Sequence, residues 1–170
     1  LPIFKELPKG AMLIVDKDEF TSRNLQKVGY ETNPLEDGSL DGYSIHAIPL
    51  TTLTVGALSE VEISKKDAER SKNMFALGLL TWMYHRPTES TIKFLEAKFG
   101  KKPDILKANL LAYNAGWNYG ETTEDFANTY EIAPAKMPAG KYKNISGNQA
   151  LAHGLIAGAQ QSGLQLFLGS

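Results

Sequence analysis

The run from Met74 to Tyr84 does most to limit what this chain can fold into. Met74, Leu77, Leu80 and Tyr84 recur at helical spacing, and Phe75, Leu79, Trp82 and Met83 cover most of the remaining circumference. A helix with one apolar stripe can lie on a surface, but one that is apolar nearly all round must be enclosed on several sides. Ala76 and Gly78 leave room for another backbone to come close. The run is far short of the ~20 residues needed to span a bilayer, so it predicts a central core helix. That helix opens at Ser64, with Asp67 as an imperfect capping-box partner. It passes through a solvated first part, Lys65 to Arg70, and ends at Arg86-Pro87.

What packs around it reads as a parallel α/β arrangement. Ala11-Met12-Leu13-Ile14-Val15 is a continuous apolar run, the pattern of a strand buried on both faces. Asp16 or Asp18 is placed to cap a following helix whose stripe is Phe20, Leu25 and Val28 and whose stop is Gly29. From Glu31 to Gly42 turn residues dominate, and Tyr43 to Ile48 alternates as a second strand closed by Pro49. A short helix is expected from about Leu53 to Leu58, weakened by Gly56.

Beyond the core helix, Thr88 is the expected cap of a helix with Ile92, Leu95 and Phe99 inward and Gly100 as terminator. Pro103 suits the first turn of the next helix, which carries Ile105, Leu106, Leu110, Leu111 and Tyr113 and runs into Gly116-Trp117-Asn118-Tyr119-Gly120. Tyr130-Glu131-Ile132 reads as extended, and Pro134, Pro138 and Ala139-Gly140 as a linker. The character then changes. Ala150 to Ala159 is a helix of mostly small residues, stopped by Gly163 and followed by an apolar strand, Leu164 to Leu168, like the opening of a second domain.

Composition narrows the chemistry. Lys+Arg 18 against Asp+Glu 19 leaves a net charge of −1, which does not favour grip on nucleic acid or on an anionic membrane surface. Cys is absent, so these residues offer no thiolate for a disulfide, a metal or an iron–sulfur cluster. Nothing at the start has the pattern of a signal peptide, and the expected address is cytoplasmic.

His46, His85 and His153 are the three histidines, and none has a second ligand at a compact metal-binding spacing, so structural roles are expected and no metal site. Glu121-Thr122-Thr123-Glu124-Asp125 gathers carboxylates and hydroxyls; a helix start capped by Thr122 or Thr123 accounts for it better than an acidic site. Gly147 and Asn148 at a helix N-terminus are a weak phosphate signal, without a dinucleotide-binding or Walker motif. Arg23, Lys27, Arg70, Lys72 and Arg86 are scattered cations that suit a solvated surface better than a phosphate site. Read from the residues alone, the chain is a scaffold with no catalytic residue.

Several strings go beyond pattern. Ser71-Lys72-Asn73-Met74-Phe75-Ala76-Leu77-Gly78-Leu79, then Arg86-Pro87-Thr88-Glu89, then Gly116-Trp117-Asn118-Tyr119-Gly120-Glu121-Thr122-Thr123 appear in order. Upstream stand Asp18-Glu19-Phe20, Lys27-Val28-Gly29-Tyr30, Asn33-Pro34-Leu35 and Pro49-Leu50-Thr51. Together they resemble the α subunit of 2-oxoacid:ferredoxin oxidoreductases, in particular its gamma-type domain in the 2-oxoglutarate-like branch. Gly147-Asn148-Gln149-Ala150-Leu151-Ala152 through Leu166-Phe167-Leu168-Gly169-Ser170 is similar to the start of the family's thiamine-diphosphate-type domain.

The resemblance implies a three-layer α/β fold with a parallel-rich sheet and flanking helices, of which this chain holds part. It assigns 1–133 to the later part of the gamma-type domain, 134–146 to a linker and 147–170 to the beginning of the thiamine-diphosphate-type (pyrimidine-binding-like) domain. Such enzymes cleave a 2-oxoacid on thiamine diphosphate with Mg²⁺, capture the acyl group on coenzyme A and pass electrons through iron–sulfur clusters to ferredoxin, the cofactor doing the hard chemistry. A β subunit carrying thiamine diphosphate and an iron–sulfur cluster is the implied partner, in a hetero-oligomer. The family's glycine-rich first unit is missing before Leu1 and a Tyr-Pro-Ile-Thr-Pro segment is missing after Ser170. The expectation is therefore a structural, interdomain piece, itself binding neither thiamine diphosphate nor a cluster, with coenzyme A contacts left open. The alternative is a non-catalytic module that docks a partner through its apolar helices.

Overall fold

A computed structural model describes residues 6–167. The chain divides into two compact units, one ending at Ile132 and the other beginning at Ala133. In the first, strands β1 (Met12–Asp16) and β2 (Ser44–Ile48) pair in parallel, in register from Met12 opposite Ser44 to Asp16 opposite Ile48. Five helices of the gathered pattern surround or follow them: α2 (Leu50–Ala57), α3 (Lys65–Arg70), α4 (Lys72–Met83), α5 (Glu89–Phe99) and α6 (Pro103–Thr122). A short α1 (Ser22–Lys27) lies between the strands. The α/β architecture with a small parallel sheet agrees with the sequence reading. Among the described residues no helix is long and apolar enough to cross a membrane.

Three local expectations need correction. Asp16 caps a 3-10 turn (Lys17–Glu19) instead of α1, whose cap is Thr21, its side chain accepting from the Asn24 N–H at 3.3 Å. Val28 is 64% exposed and so lies off the inward stripe. The expected single helix from Ser64 is also two. Ser71 interrupts it, donating from its hydroxyl to the Asp67 carbonyl at 3.1 Å, and α4 restarts as the Met74 N–H donates to the Ser71 carbonyl at 2.8 Å. The break serves packing. Ala68 of α3 joins a core with Leu58, Val61 and Ala108, whereas Phe75, Leu79 and Met83 of α4 join Ile48, Leu50 and Phe126.

The α4–α6 pair is the centre of the unit, and it is held at backbone contact. A Cβ on Gly78 would lie 1.9 Å from the Tyr113 carbonyl oxygen, one on Gly116 1.9 Å from the Phe75 carbonyl oxygen, and one on Gly120 2.4 Å from the Trp82 ring. Gly78 thus has the role expected of it. On α6, Ala108, Ala112, Gly116 and Gly120 recur every fourth residue and are all buried, one row of small side chains along which α4 lies.

Gly56 is a contrast, because a Cβ there meets nothing within 4 Å in the last turn of α2. Gly56→Ala is expected to raise stability by about 0.5–1 kcal/mol through backbone entropy alone. Urea unfolding checks this, and a loss of stability would mean that Gly56 has a role outside packing.

In the second unit, Ser146 and Gln149 form a reciprocal capping box that starts α7 (Gly147–Ser162), and Gly163 ends it at φ 68°. Leu164 to Phe167 form no strand, contrary to expectation; a strand needs a ladder partner for its backbone groups, and the described residues of the second unit hold no strand. Leu168, the last residue of that expected strand, and the opening Leu1-Pro2-Ile3-Phe4 lie outside the described residues.

Candidate functional site

The polar groups that sequence reasoning treated separately meet at the C-terminal edge of the parallel pair. Helix α2 begins after Pro49, which has no side-chain acceptor to offer its first turn. The acceptors come instead from the end of β1 and the 3-10 turn that follows it. Asp18 accepts from the Thr52 N–H at 2.7 Å, and Asp16 accepts from the Thr51 hydroxyl at 2.6 Å and, more weakly, from the Thr51 N–H at 3.4 Å. Two carboxylates at a helix N-terminus also suit its dipole. This is why α2 starts at Leu50, earlier than its own sequence suggests.

Lys72, in the first turn of α4, closes the arrangement. Its ammonium donates to Asp16 Oδ2 at 3.1 Å and to Thr51 Oγ1 at 3.2 Å, and it pairs with Glu19 Oε1. The Asp16 side chain is 11% exposed and that of Lys72 27%. Burial alone would push the Asp16 carboxyl up, but the hydrogen bonds from Thr51 and Lys72 outweigh it and hold the group below its ordinary value. Burial would likewise lower Lys72, yet its bonds to Glu19 and Asp16 hold the amine above its ordinary value. In open α/β sheets this edge is where ligands commonly bind. Here it is filled by the protein's own charges, and neither the carboxylate nor the amine is left poised for proton transfer. The cluster is a latch joining β1, the 3-10 turn, α2 and α4.

The other singled-out residues are dispersed. Arg23 and Lys27 are exposed on α1, Arg70 pairs with Asp67 at 3.6 Å, and Arg86 is exposed beyond α4. Lys72 is the exception to the solvated-surface reading. Glu121 to Asp125 is a helix end and not a helix start, because α6 continues through Gly116 to Gly120 as far as Thr122. Glu121 accepts from the Trp82 indole at 2.7 Å and Asp125 from the Tyr119 hydroxyl at 2.5 Å. His46 stacks on Phe126, His85 contacts Thr129, and His153, Gly147 and Asn148 are exposed on the second unit. Among the described residues no group of three or more His, Asp or Glu side chains is placed to hold a metal ion.

Comparison with known proteins gives this scaffold its context. A sequence profile described as pyruvate ferredoxin/flavodoxin oxidoreductase matches residues 2–119. The chain is 58% identical over 165 residues to the 2-oxoglutarate oxidoreductase subunit KorA of Mycobacterium tuberculosis, covering 97% of this chain. It spans 25% of the length of that relative. Among solved structures, the 2-oxoglutarate:ferredoxin oxidoreductase from Magnetococcus marinus, determined with 2-oxoglutarate, coenzyme A and succinyl-CoA bound, superposes with a TM-score of 0.51 at 23% identity. That superposition covers 78% of this chain and 19% of the other, and it shows a shared fold. On the profile match, which takes in most of its length, the chain belongs to the pyruvate ferredoxin/flavodoxin oxidoreductase family.

Proposed function

We propose that this chain is part of the α subunit of a 2-oxoacid:ferredoxin oxidoreductase that converts 2-oxoglutarate to its acyl-CoA and delivers electrons to ferredoxin. The observation that carries the reading is the 58% identity to a 2-oxoglutarate oxidoreductase subunit, sustained over 97% of the chain. Within it, residues 1–133 correspond to the later part of the gamma-type domain, 134–146 to a linker and 147–170 to the start of the thiamine-diphosphate-type domain. The role of these residues is structural and interdomain: the α4–α6 lock and the Asp16–Lys72 latch keep a rigid body in place beside the reacting parts.

The cofactors implied for the whole enzyme do not fit this chain's own residues. An iron–sulfur cluster needs thiolates, and there is no Cys. Magnesium-bound thiamine diphosphate needs hard oxygen ligands gathered at one point; among the described residues no group of three or more Asp, Glu or His is placed to hold a metal ion, and the oxygens of Asp16, Glu19 and Thr51 are taken up by Lys72. Both groups belong to the rest of the subunit or to a β partner, in a hetero-oligomer with ferredoxin as electron acceptor.

The test is the full-length protein co-produced with its β subunit. The expected result is reduction of a low-potential dye that requires both 2-oxoglutarate and coenzyme A; no reduction with any 2-oxoacid overturns the reading. The 170 residues alone are expected to show no heat of binding with thiamine diphosphate and Mg²⁺. Saturable micromolar binding would place the cofactor on this chain.

A further inference from the structure

After α6 the chain runs irregularly from Glu124 to Ile132, the last residue of the first unit, and every residue of this stretch except Phe126 is exposed. Four ties hold it. Asp125 accepts from the Tyr119 hydroxyl, and Phe126 sits in the core, stacked on His46 with centroids 4.5 Å apart. Thr129 Oγ1 lies 2.9 Å from His85 Nε2, a hydrogen bond in which either can donate. The Tyr130 N–H donates to the Met83 carbonyl at 2.7 Å, and its ring stacks on Tyr84. Among the described residues that last bond is the one backbone–backbone hydrogen bond between this stretch and the rest of the unit.

The end of α4 is built around the same contacts. The Tyr84 N–H donates to Leu80, the His85 N–H to Trp82 and the Arg86 N–H to Thr81, a Schellman closure in which His85 occupies the left-handed position at φ 46°. Glycine is the usual residue there, because a side chain at positive φ is strained. His85 is the one non-glycine residue at positive φ among the described residues. The Tyr130 N–H then satisfies Met83, the remaining carbonyl of the last turn. A glycine would close the helix with less strain but would have no imidazole to reach Thr129.

We propose that Glu124–Ile132 is a detachable strap, and that His85 is kept in a strained backbone conformation because its side chain is the clasp. One buried side chain and one backbone hydrogen bond put the strap among the elements that open locally while helices stay formed. Docked, it lets the connection to the second unit begin at Ala133; released, the connection begins just beyond Thr123, so the clasp sets the length of tether between the units. This holds whatever reaction the whole enzyme performs.

Amide hydrogen exchange of the full-length protein, read peptide by peptide, tests the proposal. In the wild type the strap should exchange more slowly than 134–145 and faster than α4 and α6. His85→Gly should leave the melting temperature unchanged or raised, since the helix cap is relieved, and yet speed exchange of the strap by about tenfold. Thr129→Val, which leaves the cap and His85 intact, should give the same acceleration without any rise in melting temperature. The proposal is overturned if His85→Gly leaves strap exchange unchanged, if the wild-type strap already exchanges as fast as 134–145, or if either variant accelerates α4 and α6 equally.

Discussion

Gly116→Ala is expected to unfold the first unit or to lower its stability by about 3 kcal/mol or more, at or beyond the upper end of the range for overpacked cores. The reason is the kind of atom that the new methyl meets. A Cβ that clashes with the tip of a flexible side chain is accommodated by a rotamer change. At Gly116 it would lie 1.9 Å from the Phe75 carbonyl oxygen and 2.7 Å from its carbon, which are parts of α4 itself. Relief requires α4 and α6 to separate, and interiors packed to crystal density lose contacts along the whole seam when they do. Gly78→Ala pushes the same two helices apart from the other side, so the double variant should cost less than the sum of the singles. Trp82 on α4 and Trp117 on α6 report the seam directly in urea unfolding by fluorescence. Gly116→Ala within about 1 kcal/mol of wild type would show that the helices are not locked.

That seam shows what a sequence does and does not disclose. The core side of α4, Phe75, Leu79 and Met83, was legible from its apolar residues, and Gly78 as a point of close approach, but the all-round enclosure does not hold, since Leu77 and Leu80 are 37% and 41% exposed. The complementary row on α6, small residues at 108, 112, 116 and 120, is equally present in the sequence but is masked by the larger Ile105, Leu106, Leu110 and Leu111, which dominate the apolar pattern. Reading the smallest residue at every fourth position would have found it. The division at Ser71 was not legible, because no Gly or Pro marks it in the polar stretch from Ser64 to Asn73, and only the existence of two separate cores explains it. The latch was also illegible. Asp16, Thr51 and Lys72 are distant in the chain, and nothing local distinguishes Lys72 from the solvated lysines 65 and 66 beside it. Strand β1 and the start of α2 bring the three together, and that is a fact of tertiary structure. The family resemblance outlined the fold, and its strings contain Thr51 and Lys72, but it assigned them no part in a latch.

The latch supplies the second large effect. Lys72→Met removes the ammonium and leaves Asp16, 11% exposed at its side chain, with the Thr51 hydroxyl and the Thr51 and Asp18 N–H groups as donors. Removing one partner of a buried ion pair costs more than the pair contributes, because the remaining charge stays desolvated. Solvent still reaches Lys72, so the expected loss is discounted to about 1–3 kcal/mol at neutral pH. The pH dependence distinguishes this from lost packing. Asp16 is held below its ordinary value of 3.8, so its contribution is present above that value and is lost as pH falls through the depressed folded value. Lys72 is held above its ordinary 10.5, so its contribution is present below that value and is lost as pH rises through the elevated one. Between these limits the wild type should keep a constant advantage over Lys72→Met, and below about pH 4 the advantage should shrink as Asp16 takes up a proton. Melting temperatures of both proteins across the acid range make the comparison. A difference at about pH 3 as large as at about pH 7 would mean that the methylene chain of Lys72, and not its charge, holds β1, α2 and α4 together.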